Sequence, residues 1–281
     1  MTRKVPALGL IFFLSAVPAA AWGQDKPANR IVSEKRIAKI PPSGIPAFHK
    51  VSPDSKRIAY VTGVGNKWFV VVDGKEEKQY DIIIIFPILS PATEISFPTF
   101  SPDSRRVAYV ARENDKWFVV VDRKEEKQYD AITAGTPIFS PDSKRIAYGA
   151  RESNKSFAVV DGKEEKPHDG ILGNTPIFSP DSQRVAYAAQ VGNKQFVVLD
   201  GKEEKQYDRI VEGTPIFSPD SKRLAYEAEV DNKWVVVADG KEGRNYDSLF
   251  TGRRIIFDSP DRLHYVARSG IEVYLVEETI E

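Results

Sequence analysis

Apolar and polar positions along this chain do not follow a helical period. They fall into short β-rich runs cut by turn residues, and the pattern repeats along the chain. Ser-Pro-Asp recurs with its Ser at 52, 101, 140, 179, 218 and 259. Three successive intervals are 39 residues and the first is 49, so ten residues are inserted there. Units 101–139 and 179–217 are identical at 27 of 39 positions. A period near 40 without helical patterning predicts blades of a β-propeller rather than helical repeats.

Each unit reads as four strands. Strand A is Thr136–Phe139 and its copies, ending in Ser140-Pro141-Asp142-Ser143, where Pro presets φ and Ser and Asp can bond the turn backbone. Strand B is Arg145–Gly149, with Ile146 and Tyr148 on one face. Strand C is Trp117–Val121, apolar on both faces, as a sheet packed between two others requires. Asp-Gly at 73–74, 161–162, 200–201 and 239–240 closes the C strands, a hairpin signal because both residues need positive φ. Arg123 replaces that Gly in the second unit, which predicts an altered or strained turn. Strand D is Glu126–Asp130, whose charges suit an outer edge.

Ser-Pro-Asp-Ser-Lys-Arg-Ile-Ala-Tyr resembles the signature of the WD-like repeat family of TolB-type β-propellers. The resemblance covers about residues 30–281 and appears six times, the last copy lacking two residues before Arg262. The family has Gly after the Asp; Ser55, Ser104, Ser143, Ser182 and Ser221 stand there instead. TolB adds an α/β domain before its propeller, and few residues separate leader from repeats here, so the resemblance is to the propeller and not to TolB as a whole. It implies an all-β, six-bladed propeller of four-stranded blades. After the sixth Ser-Pro-Asp come strand B, Arg262–Val266, and strand C, Glu272–Val276, but no strand D. Glu34–Ile40 aligns with the strand D segment Glu126–Ile132, so an N-terminal strand is expected to complete the last blade and close the ring.

The first residues differ from everything after them. Arg3 and Lys4 precede a charge-free run, Val5–Gln24, with an apolar centre and an Ala-rich end. That order predicts a signal peptide over 1–23, a linker over 24–29 and the propeller over 30–281, in a periplasmic or secreted protein without stable membrane insertion after cleavage. The whole chain has 40 basic and 40 acidic residues and no basic block, which argues against nucleic acid as a partner. With no Cys, disulfides, thiolate zinc sites and thiol catalysis are excluded.

Candidate chemistry is sparse. His49, His168 and His264 do not recur or pair at zinc-ligand spacing, and they read as surface or satisfied core residues. No Gly-x-Ser-x-Gly occurs. The repeated Asp54, Asp103, Asp142, Asp181, Asp220 and Asp261 read as turn caps rather than a calcium ring, which needs converging oxygens. Arg57 and its five copies read as structural, pairing with those same Asp. No cofactor or metal is expected.

Variation between units concentrates in the B–C and D–A connections, which strand direction places on one face. Trp68, Trp117 and Trp234 begin strand C beside this face, where Ser156 and Gln195 also occur, so the position is not expected to be deep core. The insertion around Phe86, Ile88 and Leu89 is read as a D–A connection on the same face, either plugging the channel or meeting a partner. The expected function is a non-enzymatic interaction module for a protein, peptide or polysaccharide outside the cytoplasm, with these six residues as its contacts. The alternative is a hydrolase or lyase with an unrecognised site at the channel mouth.

Overall fold

The computed structural model describes residues 33–38, 49–83, 98–250 and 255–281. Every regular element among them is a β-strand, and the strands form six antiparallel sheets that follow one another along the chain. The leader lies outside the described residues. Residues 1–36 form a unit of their own, of which 33–36 are exposed and not in a strand.

The third sheet shows how one repeat folds. Its central strands are Ile146–Glu152 and Lys155–Val160, paired along their whole length with Tyr148 opposite Val159. Lys163–Glu164 forms the outer edge. The opposite edge consists of two short pieces, Ala131–Ile132 beside the end of strand B and Ile138–Phe139 beside its start. Strand A is therefore split, and only its last two residues match the expected segment. Strand D also differs from expectation: it starts at Lys124 and Glu125 rather than Glu126, leaves the ladder, and returns at Tyr129, which bridges Trp117. The return is anchored by burial, since the Tyr129 ring is 1% exposed and its hydroxyl donates to Glu164 at 3.0 Å. In the second sheet the two pieces of strand A are Ile82–Ile83 and Thr99–Phe100. The ten-residue insertion falls between these two pieces and lies outside the described residues.

The core lies between successive sheets. Strand B presents Ala at its crowded position in each of the first five copies (Ala59, Ala108, Ala147, Ala186 and Ala225 are all fully buried), so neighbouring sheets approach closely. Val70, Val72 and Tyr80 of the first sheet meet Tyr109, Phe118 and Val120 of the second. The same layers recur at later joints, with Val197 and Tyr207 against Tyr226 and Val235.

Polar turns tie the sheets together as well. Within each turn the Ser hydroxyl donates to the Asp two residues on, as Ser140 does to Asp142 at 2.6 Å, so the Asp is a turn cap as expected. The repeated Arg has a different partner from the expected one. Arg145 Nε donates to Asp161, the Asp of Asp-Gly, at 2.9 Å, and Asp161 also accepts the Ile146 N–H. Arg145 Nη1 reaches into the next sheet, to the carbonyls of Ser182 and Gln183 at 3.2 and 3.3 Å, while its guanidinium lies 5.1 Å from the centre of the Phe178 ring. Arg57, Arg106 and Arg184 do the same. The Ser that replaces the family's Gly takes up a left-handed φ of 58–67° in all five copies. At Ser104, Ser143, Ser182 and Ser221 its hydroxyl accepts the N–H of the preceding sheet's turn Asp, as Ser182 does from Asp142 at 2.9 Å.

Both ends depart from this pattern. Sheet six has strands Ser248–Leu249, Ile256–Ser259, Arg262–Ser269 and Glu272–Thr279, with a bulge between Phe257 and Ser259. Its last two strands run three residues beyond the expected ends. No strand pairs with the free edge of Glu272–Thr279 among the described residues. The expected closing strand is not seen: 37–38 are not in a strand, and Ala38 sits beside the Gly74 turn of the first sheet. Residues 39–40 lie outside the described residues.

One joint carries a buried imidazole with no hydrogen bond. His168 occupies the place of Tyr80 and Tyr129, is 1% exposed, and has no hydrogen bond at either ring nitrogen. It is a core residue as expected but not a satisfied one. The shorter ring stops 3.9 Å from Glu203, the counterpart of the Glu164 that Tyr129 reaches.

Two stability outcomes follow from these contacts. Arg145→Lys keeps the charge but loses the fork that spans two sheets, and should cost about 1–3 kcal/mol in urea unfolding. Arg151→Lys, at an exposed position on the strand that follows, should change little; equal effects would dismiss the clamp. His168→Tyr should raise Tm by roughly 3–8 °C. Burial holds the His168 pKa below its usual value, against the opposing pull of Glu203 and Asp169, with Lys166 and Lys155 acting alongside burial. Its folded pKa being depressed, the native state is fully favoured above about pH 6.5 and loses stability below it. That loss between pH 7 and 5 should shrink in the Tyr variant; an unchanged Tm–pH curve would refute the assignment.

Candidate interaction surface

The B–C ends of the sheets are built from tight hairpins and a second repeated ion pair. Lys67 donates to Asp81 at 2.8 Å, and Asp81 also accepts the N–H of Asn114 from the next sheet's B–C turn at 3.0 Å. Lys116–Asp130, Lys155–Asp169, Lys194–Asp208 and Lys233–Asp247 repeat the arrangement, each Asp again taking a turn N–H of the following sheet. The Lys ammonium first, and the turn N–H second, hold the Asp81 carboxyl below the usual carboxylate range. Side chains at these ends therefore stand on loops fixed from two sides. Sequence reasoning passed over these pairs, although Lys and Asp stand fourteen apart in all five copies.

Trp68, Trp117 and Trp234 share one register position, each exchanging two backbone hydrogen bonds with the Tyr that returns from strand D. Their side chains differ in surroundings. Trp68 is 40% exposed and lies over Gly63, its cross-strand neighbour, where an added Cβ would come within 3.3 Å of the indole. Trp117 is half-buried under the Arg112 guanidinium, 5.5 Å from its ring centre, and Arg209 covers Trp234 similarly at 5.9 Å. Beside them the hairpin tips expose Val64 and Val191. The position is buried where the residue is small: Ser156 is 7% exposed. Gln195 turns inward too, its Oε1 accepting the Ile210 N–H at 2.7 Å.

Three Trp thus stand at equivalent points of the first, second and fifth sheets. Phe86, Ile88 and Leu89 lie outside the described residues. His264 is half-buried, its Nδ1 2.8 Å from Asp258, and His49 lies on the exposed first strand. Among the described residues no three His, Asp or Glu side chains converge as metal ligands. A buried acid that the sequence reading did not single out, Glu227, lies on strand B of the fifth sheet, where the neighbouring copies carry Gly149, Ala188 and Val266.

No family model matches the chain, and no curated protein matches it. Solved structures similar to it include TolB from Acinetobacter baumannii, at 18% identity over 80% of this chain, with a TM-score of 0.41. The chain spans 61% of that protein's length. The β-propeller domain of the Trilobed protease from Pyrococcus furiosus is similar at 12% identity, over 85% of this chain and 83% of its own, with a TM-score of 0.40. The Dos1 propeller is similar at 12% identity, over 80% of this chain and 65% of its own, with a TM-score of 0.42. These are distant likenesses of fold, and no residue's role is carried over from them.

Proposed function

We propose that this chain is an exported, non-enzymatic interaction module: a six-bladed WD-like propeller that binds a protein, peptide or polysaccharide on its B–C face. The observation that carries the reading is the exposed Trp68 beside Val64, on a hairpin held by the Lys67–Asp81 pair. A large apolar ring on a rigid support suits recognition, because little side-chain and loop freedom is lost on binding. Trp117, on the next sheet, extends the same surface with a stacked guanidinium. Export rests on the leader pattern at residues 1–23.

Closure of the ring by an N-terminal strand belongs to the same reading. Its support is the bare last sheet, where Val266, Val273 and Leu275 share one face and are 37, 59 and 67% exposed. A face so apolar, beside an unpaired edge, is what a closing strand and a neighbouring sheet would cover.

Cross-linking in the native compartment followed by affinity capture tests the binding reading. Trp68→Ala and Trp117→Ala should each weaken capture of a stoichiometric partner by about 2 kcal/mol, roughly thirty-fold, with the β-sheet circular dichroism of the folded chain kept. Undiminished capture by the double variant would rule this face out, and turnover in a substrate screen would favour an enzyme instead. Closure is tested in this cysteine-free chain by placing single cysteines across residues 33–37, each combined with Glu277→Cys. One pair should oxidise within a monomer; only intermolecular products would mean an open array.

A further inference from the structure

At the opposite ends of the sheets, between the C–D turn of the first and the turns of the second, lies a cleft of about 320 Å³. Its charged lining is Arg57, Lys75, Arg105 and Arg123 against Asp73, Glu77 and Asp122. All three acids are already engaged. Asp73 takes Arg57 Nε and the Ile58 N–H. Asp122 takes Arg106 Nε and the Val107 N–H. Glu77, whose side chain is only 6% exposed, takes the Tyr109 hydroxyl at 2.8 Å and Arg123 Nε at 3.4 Å. Among the described residues, what remains unmatched is positive: the Lys75 ammonium, the terminal nitrogens of Arg123, and the Arg105 fork, with Asp103 4.0 Å away.

Two of these cations are departures from the repeat, and they meet in this one cleft. The position of Arg105 is Lys56, Lys144, Gln183 or Lys222 in the other copies. The position of Arg123 is Gly74, Gly162, Gly201 or Gly240, all at φ of 73–78°. Arg123 holds a φ of 72°, a left-handed conformation that strains any residue with a Cβ. Neutralising Glu77 does not account for that strain. Its counterparts Glu126 and Glu165 sit beside Gly162 and Gly201 without an arginine, and Glu204 stays at its joint with a pKa raised by burial, hydrogen-bonded to Tyr226.

The geometry points to an oxyanion-binding site in this cleft, with Arg105 and Arg123 gripping a phosphoryl or carboxylate group and Lys75 adding a third positive charge. Planar guanidinium forks match two oxygens of such a group at once, which a lysine or glutamine at 105 and a glycine at 123 do not. The site stands apart from the tryptophan surface, so either reading can fail alone.

Calorimetric titration of the full mature chain with inorganic phosphate, phosphoserine and succinate separates the two sources. Saturable binding of the phosphates alone identifies a phosphoryl ligand, and of succinate as well, a carboxylate one. Arg105→Ala and Arg123→Gly should each weaken the bound probe at least tenfold. Arg123→Gly should also raise Tm without ligand, because the turn regains the residue its φ favours. That gain shows the variant is folded, so lost binding cannot be ascribed to misfolding. No binding of any probe, affinity unchanged in both variants, or an equal loss from Lys163→Ala, at the position of Lys75 two sheets on, would overturn the site.

Discussion

The arginine that follows each of the first four Ser-Pro-Asp turns holds the repeats in order. Arg57, Arg106, Arg145 and Arg184 each bind an Asp of their own sheet and turn carbonyls of the next, and each lies against the next sheet's Phe. Apolar burial between sheets is non-directional and tolerates sliding; a planar fork with fixed acceptors does not. The clamp therefore sets which part of one sheet faces which part of the next. At the opposite ends the Lys–Asp pairs do the same work, so the joints between the first five sheets are pinned twice with a layer of Val, Ala and Tyr between.

Much of this was legible because the repeat itself separates structural from variable positions. A residue required in every copy reads as structural, and Arg57, Arg106, Arg145 and Arg184 are structural in that sense. Their partner was misread, because Ser-Pro-Asp is three residues away whereas the Asp of Asp-Gly is sixteen away and meets Arg only when strand C returns beside strand B. The Ser in place of Gly looked like a departure in turn geometry. It keeps the left-handed φ and adds an acceptor for the neighbouring sheet, a contact invisible within one copy.

The strand edges were harder to read. Alternation locates strands B and C well, since both are long and flanked by sheets. Strands A and D are two-residue fragments whose ends are set by what their neighbours bury, so composition placed them a few residues off. The same limit affected the candidate surface. Three Trp in one register were visible in the sequence, but not that Arg112 and Arg209 cover two of them while Gly63 leaves the third open. The cleft at the other end was foreshadowed only by one observation, an arginine where a turn asks for glycine.

Among the described residues, no arginine clamp joins the fifth and sixth sheets. Arg223 binds Asp239 at 3.0 Å, but the sixth turn is two residues shorter, and no bond from Arg223 to its carbonyls matches those of the earlier joints. In an array where each unit is steadied mainly by its neighbours, opening starts at the weakest coupling and spreads by fraying. Amide hydrogens of Arg262–Thr279 would then exchange with solvent ahead of those in the middle sheets, and a protease would trim this chain from its last sheet inward, leaving the doubly pinned sheets as the resistant fragment.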